Sequence, residues 1–388
     1  MSRLAIVLSH PTQYYSPWFR WMGTHTRLDF HVFYLWEFGV TEQRDPQFGH
    51  RFKWDVDLLS GYDHEFVPNL SRDPGTHRFG GLHNPALGER LRAWQPDAVL
   101  LFGYAWRTHL DLIRHPPAPL IFRGDSHLIG HSPTWLKRCV LRRVYARFAA
   151  VTYVGQANRD YFRTFGVSED RLHFAPHCVD ADRFLRDGAI MAAAARLRAE
   201  LDLGNRKVVL FAGKLVPAKQ PDALLEAFLR LAPADFALVF VGEGPERAAL
   251  EARAAQAPGS VVRFLPFANQ SEMPARYALA DLFVLPSGGL YETWGLAVNE
   301  AMHLGVPCLV SDRVGCQRDL VTDGETGWVF PAADPAGLES ALGRALAELR
   351  GDTTPLRLRI AARIGGYTYA QATGGLQSAL AQAVASTP

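Results

Sequence analysis

The stretch LPSGGLYETWGLAVNEAMHLGVPCLV, residues 285–310, decides the fold of this chain. The apolar run at 281–285 leads into it and stops at a proline, which is typical of a buried parallel strand. Residues 294–304 have the spacing of a helix, and Gly305 and Pro307 are residues that end one. The last five residues of the stretch are apolar and predict the next strand. The order strand, glycine-containing loop, helix, strand predicts an α/β domain.

The start of this helix is a predicted phosphate site. Its first backbone N–H groups have no partner within the helix and carry a partial positive charge. Gly295 lets a ligand approach the backbone closely. Glu292 lies just before the helix, and Glu300 lies inside it, about 7–9 Å along the axis from the first turn. An acid on either side of a diphosphate suits a nucleotide-sugar, whose layout is sugar, diphosphate and ribose.

The pair Glu292-x7-Glu300 lies within P-S-x4-E-x-x-G-L-x-x-x-E-A-M-x-x-G-x-P. This pattern resembles the acidic motif of the retaining glycosyltransferases of family 4, which have the GT-B fold. The gap between Ser287 and Glu292 is two residues longer than is usual in that family. The resemblance implies that Glu292 binds the hydroxyls of the donor sugar and that Glu300 binds the ribose. It also implies donor contacts from the neighbouring residues Thr293, Trp294, Gly295 and Leu296. The alternative is an ordinary α/β helix with a solvated glutamate.

A second predicted loop supplies cations. Residues 207–212 predict a strand, and Gly213, Lys214 and Lys219 follow it. These residues resemble the Gly-Arg-x4-Lys-Gly phosphate pair of the same family, with Lys214 replacing the arginine and Gln220 the second glycine. The resemblance implies that both lysines neutralise a diphosphate leaving group. Two surface lysines on a loop are the alternative. The predicted donor site also includes Glu243 and Phe267.

The first predicted strand, residues 4–8, ends in a turn that is often glycine-rich in the resembled family but not here. Open α/β sheets bind ligands at the carboxyl ends of their strands. The polar and aromatic side chains of this turn are therefore candidates for acceptor contact. These residues are His10, Gln13, Tyr14 and Tyr15. A structural turn with surface aromatic residues is the alternative.

His127 lies beyond the carboxyl end of another predicted strand, residues 120–123. In the resembled family a histidine at this place contacts the donor sugar near its reacting carbon. The resemblance therefore implies a catalytic role for His127, with His131 as its competitor. The catalytic set that follows from the resemblance is His127, Lys219 and Glu292. A histidine packed in a polar loop is the alternative.

Residues 135–148 predict a helix with an apolar stripe and a basic side. The stripe consists of Leu136, Val140, Val144, Tyr145 and Phe148. The basic residues are Lys137, Arg138, Arg142, Arg143 and Arg147. Some helices of this kind lie on anionic membranes. More commonly the stripe packs on the core and the basic side faces water.

Composition limits the classes of function. A chain of 388 residues allows two or three domains, and a net charge of +2 is too small to indicate a nucleic-acid partner. The four cysteines fit no zinc spacing and suit a reducing cytoplasm. The N-terminal apolar run is too short for a signal peptide, and no run reaches the length that spans a bilayer. We expect a cytoplasmic protein, with peripheral contact at the inner membrane through 135–148 as an option.

Two pairs of acids have the spacing that binds a metal in other glycosyltransferases. They are Asp55 with Asp57 and Asp180 with Asp182. Both pairs lie outside the predicted donor site, so we interpret them as surface acids. No metal ion or other cofactor is expected.

The resemblance implies an α/β protein of the GT-B fold, with two Rossmann-like domains that face each other across a cleft. Residues 1–190, with a C-terminal helix crossing back at 366–388, form the predicted acceptor domain. Residues 205–365 form the predicted nucleotide-sugar domain. The implied activity is retaining transfer of a sugar from a nucleotide-diphosphate sugar to a glycan, lipid-linked or small-molecule acceptor in bacterial glycan or glycoconjugate assembly. A sugar-nucleotide epimerase and a catalytically silent nucleotide-sugar binding protein are the alternatives.

Overall fold

The computed structural model describes residues 2–40, 43–44, 51–289 and 292–386, and the chain divides into two compact units. The first contains Met1–Arg44, Arg51–His177 and Tyr369–Pro388, and the second contains Cys178–Thr368.

The sequence-based ranges differ from these units at residues 178–190 and 366–368, which they assigned to the first domain. In the structure residues 178–190 pack within the second unit. The ring of Phe184 lies 6.2 Å from that of Tyr277, and Arg186 donates a hydrogen bond to the carbonyl oxygen of Leu304 at 3.1 Å.

The first unit is a parallel sheet with helices. Its strands are β1 (Arg3–Leu8), β2 (Asp29–Tyr34), β5 (His64–Phe66), β6 (Ala98–Phe102), β7 (Leu120–Arg123), β8 (Ala150–Tyr153) and β9 (Leu172–Phe174), with a separate antiparallel pair, β3 (Gln43–Arg44) and β4 (Arg51–Phe52). The seven-stranded sheet has the order β5-β2-β1-β6-β7-β8-β9. Its helices are α1 (Tyr15–His25), α2 (Leu87–Trp94), α3 (Arg107–Arg114), α4 (Trp135–Tyr145), α5 (Gln156–Thr164) and α14 (Tyr369–Ala385). Every residue of β6 is buried, as a parallel strand covered on both faces requires.

The second unit has the same architecture. Its strands are β10 (Lys207–Ala212), β11 (Phe236–Val241), β12 (Val261–Leu265), β13 (Leu282–Leu285), β14 (Cys308–Ser311) and β15 (Gly327–Phe330). All six are parallel, in the order β12-β11-β10-β13-β14-β15. Its helices are α6 (Gly188–Glu200), α7 (Pro221–Leu231), α8 (Arg247–Ala255), α9 (Met273–Ala278), α10 (Leu296–His303), α11 (Gln317–Leu320), α12 (Gly337–Leu349) and α13 (Thr354–Ile364).

The C-terminal helix α14 packs on the N-terminal sheet. The Trp18 indole donates a hydrogen bond to the Thr373 hydroxyl at 2.9 Å. A Cβ at Gly375 would lie 1.9 Å from the carbonyl oxygen of Phe174, so only glycine allows this approach of helix to strand. The predicted return of the last helix to the first unit is confirmed.

The burial of side chains in α4 differs from the predicted apolar stripe. Tyr145 and Phe148 are buried, but Leu136 and Val140 are 65% and 49% exposed. The reason is that the stripe spans more than one side of the helix, and only the side that contains Tyr145 faces the core.

Candidate active site

The strand order of the second unit reverses between β10 and β13, and open α/β sheets bind ligands in the crevice at such a point. The loop after β10 contains Gly213 and Lys219, and the loop after β13 contains Ser287 and Glu292. The backbone N–H of Gly288 donates to the carbonyl oxygen of Ala218 at 3.2 Å, which joins the two loops. The two segments that sequence assigned to the donor therefore leave adjacent strands.

Lys219 and Glu292 form an ion pair. The Lys219 Nζ lies 2.8 Å from Glu292 Oε2, and the Ser287 hydroxyl donates to the same oxygen at 3.1 Å. The two side chains are 27% and 17% exposed, so solvent and a ligand can reach the pair. The structure brings together a cation and an acid that lie 73 residues apart in the sequence.

Glycines let the backbone pack closely under Lys219. Gly213 has a φ of +154°, and a Cβ there would lie 3.5–3.8 Å from the end of the Lys219 side chain. Gly242 has a φ of +142°, and a Cβ there would lie 2.0 Å from the carbonyl oxygen of Gly213. Glycine at 242 therefore allows the loop after β11 to support the loop that contains Lys219.

Gly295 begins α10 in the left-handed region, with a φ of +95°. Among the described residues, no side chain caps this helix start, so its first N–H groups are available to an anion. A Cβ at Gly295 would lie 3.0 Å from Val314 and 3.1 Å from Leu285. The adjacent Leu296 is half-buried.

Contacts with α10 and with the loop after β14 hold the segment before α10 in place. The Trp294 indole donates to Asn299 Oδ1 at 2.8 Å, and the side chain is only 3% exposed. The backbone N–H of Gly315 donates to the Glu292 carbonyl oxygen at 3.0 Å, and a Cβ at Gly315 would lie 1.8 Å from the carbonyl oxygen of Thr293. These contacts fix the backbone that carries the Glu292 side chain.

Glu300 lies inside α10 and is only 3% exposed. Its Oε2 accepts a hydrogen bond from the Tyr277 hydroxyl at 2.8 Å. Tyr277 is itself buried, and its ring packs 5.5 Å from that of Phe283. Tyr277 is not predicted from the sequence, because nothing in its spacing connects α9 with the second acid.

The other predicted donor residues are positioned as follows. Glu243 Oε1 lies 2.9 Å from Arg247, whose guanidinium also donates to the carbonyl oxygen of Leu265 at 3.1 Å. Lys214 is half-buried after β10, and Phe267 is half-buried after β12. Glu243 thus belongs to a local network that joins the ends of β11 and β12.

In the first unit, the strand order reverses between β1 and β6, and the predicted acceptor turn follows β1. His10 packs edge-on against Trp36 and Phe38, with centroids 5.5 and 5.3 Å away. Burial lowers the pKa of His10 to about 4, so the imidazole is neutral near pH 7. Gln13 and Tyr14 are half-buried in the same turn.

Tyr15 lies in a cluster of side chains that was not predicted from the sequence. Its ring is 4.8 Å from Phe102 and 6.0 Å from His177. Arg123, at the end of β7, lies beneath Tyr15 at 5.7 Å and donates to the carbonyl oxygen of Ala175 at 2.9 Å. The sequence contains a signal for this cluster, because Arg123 is the last residue of the predicted strand 120–123.

His127 is 5% exposed, and its Nδ1 accepts a hydrogen bond from the backbone N–H of Ile129 at 3.1 Å. In the neutral ring the proton is therefore on Nε2, which makes Nε2 a donor. The Asn158 amide donates to the carbonyl oxygen of Ser126 at 2.7 Å and holds this loop. The competitor His131 has its Nδ1 3.3 Å from the carbonyl oxygen of Ile129.

Among the described residues, no cluster of three or more His, Cys, Asp or Glu is arranged to hold a metal ion. Asp57 accepts hydrogen bonds from the backbone N–H groups of Leu59 and Ser60 at 3.0 and 3.2 Å, and these lower the pKa of its carboxyl. In the same described part of the chain, no helix combines the length and apolar character needed to cross a bilayer.

Known proteins resemble this chain in sequence and in structure. Residues 195–363 match the family model described as glycosyl transferases group 1. A GDP-mannose-dependent α-(1-6)-phosphatidylinositol monomannoside mannosyltransferase of Mycolicibacterium smegmatis is 36% identical over 240 residues, which cover 60% of this chain and 62% of that protein. A D-inositol 3-phosphate glycosyltransferase of Nocardia farcinica is 32% identical over 58% of this chain and 51% of its own length. The chain thus spans less than two thirds of these relatives.

Solved structures show the fold. Anabaena HepE in complex with UDP and glucose has a TM-score of 0.73 at 16% identity, covering 98% of this chain and 100% of that one. Sucrose-phosphate synthase of Thermosynechococcus elongatus has a TM-score of 0.73 at 19% identity, covering 99% and 100%. The predicted fold class and family are confirmed. Residues 195–363 are thus similar to the glycosyl transferases group 1 family, and the fold of the chain is GT-B.

Proposed function

We propose that this protein is a retaining glycosyltransferase that moves a hexose from a nucleotide-diphosphate sugar to an acceptor hydroxyl. The observation that carries the proposal is the ion pair of Lys219 and Glu292, which lies in the loops at the switch point of the second sheet. The start of α10 at Gly295, which no described side chain caps, follows Glu292 closely in the chain. A sugar-diphosphate needs three things at its reacting end, which are an anion-binding helix start, a cation and an acid.

Lys219 has two partners in this mechanism. Without donor its ammonium neutralises Glu292. When a donor binds, the Lys219 ammonium pairs with the diphosphate instead of Glu292, and Glu292 accepts hydrogen bonds from the sugar hydroxyls. As the bond between the sugar and the diphosphate breaks, negative charge grows on the leaving group. Lys219, Lys214 and the N–H groups near Gly295 stabilise that charge, so the reaction proceeds without a metal ion.

The remaining catalytic and binding roles follow the family resemblance. Glu300 holds the ribose, with Tyr277 behind it, and Glu243 and Phe267 complete the donor site. His127 donates its Nε2 proton as a hydrogen bond to the donor sugar, because its Nδ1 is already an acceptor. His10, Gln13, Tyr14 and Tyr15 form the acceptor side.

The names of the relatives suggest the substrates. We infer a donor such as GDP-mannose and an acceptor such as a phosphatidylinositol mannoside or an inositol phosphate, supported by identities of 36% and 32%. Such a lipid acceptor is consistent with action at the cytoplasmic face of the inner membrane. The membrane contact is assigned to residues 135–148.

A donor screen tests this function. Melting temperature is measured with GDP-mannose, UDP-glucose and their nucleoside diphosphates, each with and without EDTA. Release of nucleoside diphosphate is then measured with phosphatidylinositol mannoside or inositol phosphate as acceptor. We expect a stabilising donor and acceptor-dependent release that persists in EDTA. A changed sugar from the donor alone identifies an epimerase, and a donor that is bound but never cleaved under any of these conditions identifies a silent binding protein.

A further inference from the structure

Helix α4 has a second apolar side that faces away from the core. Its buried side consists of Leu141 and Tyr145, continued by Phe148 after the helix. Side chains advance by about 100° per residue along a helix, so an opposite side exists with its own set of residues. The apolar residues of that opposite side are Trp135 (77% exposed), Leu136 (65%) and Val140 (49%). They are three of the seven exposed large hydrophobic residues in the described chain, which makes the clustering specific.

Basic side chains surround these three residues. They are Lys137, Arg138, Arg142, Arg143 and Arg147, and all are exposed. In the described part of the chain none of the five forms an ion pair, whereas surface arginines elsewhere, such as Arg159 and Arg350, do. Residues 126–159 contain no Asp or Glu at all. The described side chains therefore do not neutralise this charge locally.

We propose that the outer face of α4, which comprises Trp135, Leu136, Val140 and these five basic residues, docks on an anionic lipid bilayer. The proposal deepens the membrane contact in the proposed function and does not depend on the transfer chemistry. Indole rings favour the headgroup level. Aliphatic side chains enter the acyl boundary to a depth of about 5–10 Å. Each cation near an anionic surface strengthens partition by about five-fold.

Charge decides among possible occupants. A second copy of the chain would bring the same cations to the same place, and like charges would oppose that contact. Leu358, on α13, is a useful contrast, since it is 67% exposed on a helix that is also basic. There, however, Arg359 and Arg363 donate to the carbonyl oxygens of Glu325 and Asp319 at 2.7 and 2.8 Å. Cations committed to the protein are less available to lipid.

The chain contains its own probe of this face. Cys139, within α4, is partly exposed, and the other three cysteines are buried. A thiol-reactive, environment-sensitive fluorophore therefore labels Cys139 selectively. With vesicles of phosphatidylglycerol and phosphatidylcholine we expect a blue shift and quenching by spin-labelled acyl chains. Both signals should weaken between about 0.05 and about 0.5 M salt, and both should be absent with phosphatidylcholine alone.

Cosedimentation with the same vesicles tests the residues, using unlabelled protein. Trp135→Ser/Leu136→Ser should abolish binding, while the control Leu358→Ser should bind like the parent. Arg143→Glu/Arg147→Glu should weaken binding by at least about 20-fold. The control Arg90→Glu/Arg114→Glu makes the same change in charge elsewhere and should leave binding nearly unchanged.

Three results would overturn the proposal. They are no binding to anionic vesicles at low salt, equal binding by the outer-face and control variants, and a dimer in solution that protects Cys139 from the label. Donor-induced thermal stabilisation is measured on every variant. If it persists while vesicle binding is lost, the docking surface and the transfer function are separated, and failure of either one is recognised by itself.

Discussion

Replacing Tyr277 by Phe removes one hydroxyl and leaves the packing of the ring intact. That hydroxyl donates to Glu300 Oε2 at 2.8 Å, and both side chains are at least 97% buried. A hydrogen bond to a charged group contributes about 1.5–3 kcal/mol. We therefore expect the free energy of unfolding to fall by about that amount. A larger loss would mean that the ring also moves.

The effect on donor binding should be specific to the ribose. If Tyr277 holds the carboxylate that accepts from ribose hydroxyls, Tyr277→Phe should raise the donor KM by about ten-fold, equivalent to about 1.4 kcal/mol. The kcat should stay within about two-fold, since in the proposed mechanism the bond that breaks lies near Glu292 and Lys219. A donor analogue without ribose hydroxyls should bind the variant and the parent equally.

The matched control is Tyr367→Phe. Tyr367 also donates to a buried carboxylate, Asp319, at 3.3 Å, and it lies in the same unit. The Tyr367→Phe variant should be less stable than the parent. Its affinity for the nucleotide should show no change that depends on the ribose hydroxyls. Calorimetry of the nucleoside diphosphate and its 2′,3′-dideoxy analogue measures the difference. If Tyr277→Phe weakens both nucleotides alike, Tyr277 does not act through Glu300 on the ribose, and the reasoning is refuted.

Other predictions concern the loops and buried histidines. Lys219→Ala should lower kcat by about 100-fold or more, because the leaving group loses its cation, while melting temperature changes little; unchanged single-turnover rates would contradict this role. Gly242→Ala should cost about 1–3 kcal/mol of stability and weaken donor binding, since its Cβ would lie 2.0 Å from a carbonyl oxygen. The control Gly259→Ala, where no atom lies within 4 Å of the added Cβ, should match the parent in thermal unfolding and donor titration. Burial lowers the pKa of His10 to about 4 and of His109 to about 3, from 6.5. The unfolded chain then binds protons that the folded chain does not, so stability is full above pH 6.5 and falls as the pH drops towards 4, by up to about 1.4 kcal/mol per pH unit for each histidine. Urea unfolding should show a lower midpoint at about pH 5 than at about pH 7, and equal midpoints would argue against buried neutral rings.

Much of the fold could be predicted from sequence because its signals are local. Residues 281–285, 294–304 and 306–310 were predicted as strand, helix and strand. The structure has β13 at Leu282–Leu285, α10 at Leu296–His303 and β14 at Cys308–Ser311. Apolar runs and stop residues decide such elements without help from the rest of the chain.

The two apolar sides of α4 could not be separated from sequence alone. Helical spacing collects apolar residues but does not say which of them the core will cover. Tyr145 was buried because the rings of Phe122 and Phe162 lie 5.2 and 5.3 Å away, and both come from other elements. Because the side of α4 that contains Tyr145 faces the core, Leu136 and Val140 lie on the side that faces away from it.

Part of the candidate site could likewise be predicted from the sequence, and part could not. Lys219 and Glu292 lie in the loops after β10 and β13, two strands that pair in the sheet. Parallel strands bring the loops at their carboxyl ends to one edge, so a resemblance that places each residue in such a loop also brings them near each other. The partner of Glu300 follows no such rule, because Tyr277 comes from α9, and the packing of α9 involves Phe184 from the segment before α6. A buried carboxylate needs a donor, but any of several neighbouring elements can supply it. Sequence motifs therefore identify the acids proposed to bind the donor better than the residues that hold those acids in place.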